Sequence, residues 1–184
     1  MVYGEWWKEV YTMEYSSLVE ARYSVRKFRG DPVDAALLGE ILRAARLAPT
    51  AVNKQPFRIL VIQSPEGMEA LKQCTPYTFG APMALVVCEN KEEAWVRPQD
   101  GANGGIVDAS IVGTHILLAV HNVGLGSTWV GYFDPALLSK TFALPPHIQP
   151  VAIFPIGHPA EDAKPAGFHA KRRPLEELVV HEHF

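Results

Sequence analysis

The sequence predicts a single domain of mixed α and β structure, in which helices alternate with short buried strands. Three observations lead there. Segments with helical periodicity alternate with brief apolar runs bounded by turn residues. One segment, Val107 to Val123, is apolar nearly all round with Gly113 as its sole breaker, the pattern of a central buried helix. A chain of 184 residues matches the usual size of one domain and can bury a substantial core.

The elements follow in order. Asp34 can cap a helix whose Leu37, Leu38, Ile41, Leu42 and Ala45 form one apolar stripe, and Pro49 stops it. Arg58 to Gln63 reads as a strand, and Ser64-Pro65 opens a short helix running to about Gln73. Ala84 to Cys88 is a second buried strand. After the long helix, Gly124 serves as its C-cap, Ser127 to Val130 is a third strand, and Asp134-Pro135 starts another helix. Val151 to Ile156 is the fourth strand. Pro155 cannot donate to a ladder, so this strand is expected at an edge or with a bulge there. The glycine- and proline-bearing segment 90–105 is a candidate mobile lid.

Composition narrows the function. Hydrophobic residues at 48% and charged residues at 20% are those of a globular protein, and no apolar run reaches the ~18 residues of a membrane span. Glu5, Lys8, Glu9 and Glu14 interrupt the aromatic N-terminus, which therefore does not read as a signal peptide. Cys74 and Cys88 are too few for a disulfide scaffold and fit no zinc spacing; a reducing cytoplasm is the expected location. A net charge of −3 gives nucleic acid no electrostatic foothold.

Two polar clusters stand out between Ala21 and Phe57. The first reads Ala21-Arg22-Tyr23-Ser24-Val25-Arg26-Lys27-Phe28. Arg22 and Arg26 share a face in a helix or a strand, and Ser24 joins them only if the chain is extended. Two guanidiniums and a hydroxyl suit a phosphate, because arginine offers planar, permanently charged donors. The second, Pro49-Thr50-Ala51-Val52-Asn53-Lys54-Gln55-Pro56-Phe57, brings carboxamides that donate and accept, as reading a heteroaromatic edge requires. Taken alone, the first could be a solvated face and the second an ordinary loop.

Other signals weigh less. Gly124-Leu125-Gly126 follows a helix and precedes a strand, the reverse of a Rossmann fingerprint, which that reading excludes. Gly131 differs, since a glycine at a strand's far end lets backbone approach a ligand. Lys171-Arg172-Arg173-Pro174-Leu175-Glu176 makes a basic cluster near the C-terminus. His181-Glu182-His183 lacks further ligands for a metal, no hydrolase motif is present, and His115 and His121 read as core or interface residues. Tyr3, Trp6, Trp7, Tyr11 and Tyr15 suggest a helix that docks on the protein's own core or on a second subunit.

Taken in order, these segments resemble the nitroreductase family of flavin oxidoreductases. The family opens with Arg-x-Ser-x-Arg/Lys-x-Phe and continues with Pro-Ser/Thr-x-x-Asn-x-Gln-Pro-aromatic at this separation. The likeness runs from about Leu18 to the C-terminus. It implies one nitroreductase-like domain of the α+β class over residues 1–184: an extension at 1–17, a central mixed sheet flanked by helices, and a C-terminal arm at 159–184 that wraps a second copy in a homodimer.

The resemblance also implies FMN at the subunit interface and a set of cofactor-binding residues: Arg22, Tyr23, Ser24, Arg26, Pro49, Thr50, Asn53, Gln55, Val130, Gly131, Lys171 and Arg172. In the implied roles, Arg22, Ser24 and Arg172 hold the phosphate and Asn53 bonds the ring's pyrimidine side or the ribityl. Arg26 stabilises charge at N1 and O2, and the N–H groups of Val130 and Gly131 face N5 and O4. Lys171 stands one place off the family's spacing, and Ala51 where a second hydroxyl is usual. NADH or NADPH would reduce the flavin and a small-molecule acceptor such as a nitroaromatic or quinone would reoxidise it, in ping-pong fashion and without an obligate catalytic acid or base. Reductive dehalogenation, or flavin carriage without turnover, are the alternatives.

Overall fold

The computed structural model describes residues 14–184, so the aromatic residues Tyr3, Trp6, Trp7 and Tyr11 lie outside the described residues. The first element is a two-turn helix, α1 (Tyr15–Ala21), capped by the Glu14 carboxylate on Ser16 N. Helix α2 (Ala35–Arg46) starts where Asp34 accepts from Ala36 N, and buries Ile41 and Ala45 of the expected stripe. Strand β1 (Phe57–Ile62) leads to α3 (Pro65–Cys74), capped by Ser64 on Gly67 N.

Strand β2 (Met83–Asn90) is buried along its whole length, and α4 (Gly105–Asn122) is the central helix. Gly124, at φ 77°, ends α4, its N–H bonding His121 O while Leu125 N reaches back to Val120 O. That left-handed cap needs a residue without a Cβ penalty. Strand β3 (Gly126–Ser127), α5 (Pro135–Thr141) and β4 (Ile148–Gly157) complete the order.

The sheet runs β1-β2-β4-β3, antiparallel throughout. A parallel component enters where Ser24 pairs with Ser127. Side chains alternate between two cores, as the pleat requires. Met83, Leu85, Val87, Ala152, Phe154 and Ile156 face α2 and α4, whereas Ala84, Val86, Cys88 and Ile153 face α3 and α5. Helix α4 is long and apolar enough to cross a membrane by length and composition. Here it is the core helix instead, with Ala109, Val112, Ile116 and Val120 buried against the sheet.

Two expectations about strands need correction. Strand β4 is interior, between β2 and β3, and its register shift falls opposite Val87 and Cys88 rather than at Pro155. Pro155 is tolerated because β3 stops beside it: pairing ends at Ser127↔Ile156 and resumes as the single bridge Val130↔Ile153, so a missing N–H there costs no ladder bond. The third strand is correspondingly two residues long, not four. The segment 90–105 is laced by its own hydrogen bonds, among them Arg97 N to Ala102 O at 2.9 Å and Gly104 N to Trp95 O at 2.8 Å.

Candidate functional site

The first cluster is extended. Val25 N donates to Ser127 O (3.0 Å), Arg29 N to His158 O (2.9 Å) and Ala160 N to Lys27 O (3.0 Å). Alternation then puts Arg22, Ser24 and Arg26 on one side of the strand, and Tyr23, Val25 and Lys27 on the other. Val25 anchors the segment: it is buried, and a Cβ at Gly126 would lie 2.7 Å from its Cγ2. Only glycine lets the two backbones come this close. Arg26 Nη1 donates to Ser24 O at 3.3 Å. Arg22 lies near the C-terminal turn of α4, where burial first, and then its charge, push the His121 imidazole below its ordinary pKa.

The opposite side of the segment grips the C-terminal arm. Tyr23 OH donates to Ala163 O at 3.4 Å, and its ring meets His169 edge-on at 6.3 Å. Lys27 pairs with Asp162, and its hydrogen bond holds that carboxyl below the ordinary carboxylate range. Arg172 Nη1 donates to His169 O and Lys171 O. Tyr23 and His169 therefore tie the stretch bearing Lys171 and Arg172, both exposed, to the arginine segment.

The second cluster is a tight turn between α2 and β1. Thr50 Oγ1 accepts from Gln55 N at 3.0 Å, and Gln55 Nε2 donates to Asn53 Oδ1 at 3.2 Å. Pro49, Asn53 and Gln55 are exposed and Thr50 is half-buried. Ala51 N donates to Asp108 Oδ1 at 2.9 Å, which places the turn at the N-terminal end of α4. The arginine cluster sits at the other end, beside His121. At roughly 1.5 Å per residue, Asp108 and His121 are about 20 Å apart along the helix. One chain does not bring the two clusters together.

Val130 and Gly131 lie where β3 breaks off. They line a cavity of about 260 Å3 with Arg26, Tyr77, Phe79, Trp129 and Tyr132. Val130 N–H is committed to Ile153 O at 2.9 Å, so of the two N–H groups expected at this edge, that of Gly131 remains. Where a Gly131 Cβ would stand, the nearest atom is Trp129 Nε1 at 3.8 Å, leaving room for a ligand against the backbone. A larger cavity, about 620 Å3, opens between Gly30, Pro65, Lys72 and Pro82 and includes none of the predicted residues.

Several residues here were missed in the sequence. Buried Thr75 donates through Oγ1 to Tyr132 O (2.7 Å) and accepts from Tyr77 N (3.2 Å). That clip sets Tyr77 and Tyr132 edge to face at 5.5 Å, with Phe79 stacked on Tyr77 at 5.8 Å. The available signal was Tyr132 directly after Gly131 and an alternating Tyr77-x-Phe79. Asp108 was missed too, although it is the sole Asp, Glu, Lys or Arg in α4.

Comparison with known proteins identifies the family and the fold. The sequence profile of the Nitroreductase family matches residues 19–78 and 72–158, and the chain belongs to that family. A crystal structure of a nitroreductase family protein from Clostridium difficile 630 superposes with a TM-score of 0.88 at 36% identity, covering 94% of this chain and all of that one. An NADH dehydrogenase of Thermus thermophilus is 30% identical over 191 residues, covering 86% of this chain and 91% of its own length. An FMN-dependent nitroreductase from Clostridium difficile R20291 has a TM-score of 0.77 at 26% identity, with 92% and 99% covered.

Proposed function

We propose that this protein is an FMN-dependent NAD(P)H oxidoreductase acting as a homodimer. The observation that carries the reading is the convergence of Arg26 and the open backbone of Gly131 on one aromatic-lined cavity. The residues fit the cofactor: the Arg22/Ser24/Arg26 side of the strand suits a phosphate and an electron-rich ring edge, and the Gly131 backbone leaves room beside it. When bound, FMN would supply hydride acceptance from NADH or NADPH and electron delivery to a small acceptor such as a nitroaromatic or quinone, in two half-reactions.

The chain's own part is electrostatic and positional. Arg22, Ser24 and Arg172 bind the phosphate. Arg26 provides a fixed cation where negative charge builds on the pyrimidine side. The N–H of Gly131, unbonded among the described residues, is the donor to the ring edge.

Thr50, Asn53 and Gln55 lie about 20 Å away at the far end of α4, so they serve the site of the second copy. The separation of the clusters supports the dimer, as do exposed apolar side chains beside the turn, Val52 at 74% and Val107 at 61%. The arm's Phe168, Leu175 and Leu178 are exposed as well, and covering them on a second copy removes apolar surface from water.

The test is a titration of the purified protein. Yellow protein that NADH or NADPH bleaches rapidly without oxygen is the expected outcome. Yellow protein that neither nucleotide bleaches identifies a flavin carrier, and failure to take up FMN refutes the reading.

A further inference from the structure

The turn between α2 and β1 is held in a costly backbone conformation. Val52, Asn53 and Gln55 have φ of 44°, 55° and 51°, all left-handed and none a glycine. For β-branched Val52 this is a genuine outlier, and its side chain, exposed in the single chain, offers no packing within that chain in return. Such strain persists only where surrounding contacts over-determine it. Most of the bonds are internal: Asn53 N to Thr50 O at 3.0 Å, Lys54 N to Ala51 O at 3.1 Å, and the Thr50 hydroxyl on Gln55 N. Among the described residues, one hydrogen bond of residues 50–55 reaches beyond the adjoining sequence, Ala51 N to Asp108 Oδ1 at 2.9 Å.

Asp108 is unusual in its setting. It is 2% exposed, and its Oδ2 has no partner among the described residues. It stands in the first turn of α4, where the helix end favours a carboxylate. A buried carboxylate is expensive unless its bonds return something. The bond it makes is to the turn.

We infer that Asp108 is a positioning residue for the Thr50–Gln55 turn: by holding the Ala51 N–H it locks the strained backbone that aims Thr50, Asn53 and Gln55 outward. This rests on the reading that the turn contacts FMN.

Two kinds of variant test it. Ala51→Pro removes the donor and sets the ring Cδ where the N–H pointed, so that Asp108 Oδ1 can no longer sit against the turn. Thr50 already has φ −135° and ψ 158°, which a residue before proline adopts, and Ala51 opens a helical turn, where proline is accepted. Asp108→Ala deletes the acceptor, while Asp108→Asn keeps an oxygen for it. FMN dissociation constants are read by flavin fluorescence, and turn order by the rate of tryptic cleavage after Lys54. Ala51→Pro and Asp108→Ala are expected to weaken FMN at least about tenfold and speed the cleavage, with Asp108→Asn within about threefold of the parent.

An Ala51→Pro protein that binds FMN like the parent overturns the inference, as does Asp108→Asn weakening FMN as much as Asp108→Ala. If Asp108→Ala fails to fold, the other two variants decide. A parent that binds no FMN refutes the proposed function instead, and cleavage at Lys54 then decides the positioning role alone.

Discussion

Gly113 of α4 lies against the edge of Trp129: a Cβ placed there would stand 2.7 Å from Trp129 Cζ3 and 2.6 Å from Phe154 Cζ. The two rings meet edge to face at 5.0 Å; Phe154 is fully buried and has no room to withdraw, although Trp129 is 37% exposed. Gly113→Ala gains up to about 1 kcal/mol of helix propensity but overpacks this contact, at about 1–3 kcal/mol. A net loss of stability is expected, measured as a lower Tm or urea midpoint. Trp129 also adjoins Val130 and Gly131, so its fluorescence should change in the folded variant. A variant more stable than the parent would contradict the packing.

Glu89 gives a pH-dependent prediction. Burial pushes its carboxyl above the ordinary 4.5, with Lys91 pulling partly the other way. At low pH the group is protonated in both folded and unfolded chains and costs nothing. As pH rises through the unfolded and then the folded value, the folded state must carry a buried charge and stability is lost. Glu89→Gln should match the parent at acidic pH and exceed it in Tm at neutral pH. Parallel pH profiles of the two proteins would show that Glu89 carries no such cost.

Arg22→Ala and Arg172→Ala should each weaken FMN retention by about 1.5–3 kcal/mol, the worth of a charge-assisted contact. Dialysis followed by flavin absorbance measures it. Full occupancy and unchanged dissociation constants in both variants would remove these residues from the phosphate site.

Arg26→Gln should lower the two-electron potential of bound FMN while much of the binding survives. A unit charge about 4 Å away at an effective dielectric of ~20 interacts by about 4 kcal/mol. Each 1.4 kcal/mol of that lost is roughly 30 mV for a two-electron couple. Equal potentials for variant and parent at full occupancy would move the tuning role elsewhere.

Because Thr50–Gln55 and Arg22–Arg26 sit at opposite ends of α4, dilution to monomer should release flavin together with activity. Light scattering and flavin fluorescence along one dilution series test this. A monomer that still holds FMN tightly would count against a site shared between two copies.

The sequence by itself determined what is local. Asp34, Ser64 and Asp134 cap their helices as read, because a cap is a bond between a side chain and amides two or three residues on. Apolar patterning found α2 and α4, and the Ser64-Pro65 start found α3, to within a few residues, and the two ordered motifs were enough to name the family. Only the tertiary structure decided which groups meet. It placed Pro155 in an interior strand beside the gap after Ser127, set Thr75 between Tyr77 and Tyr132, and spent the Val130 N–H on Ile153. It also put the two polar clusters, neighbours in sequence, at opposite ends of α4. Strand order, register and the end of a helix on which a loop docks are fixed by contacts between residues far apart in the chain, and periodicity along the chain carries no record of them.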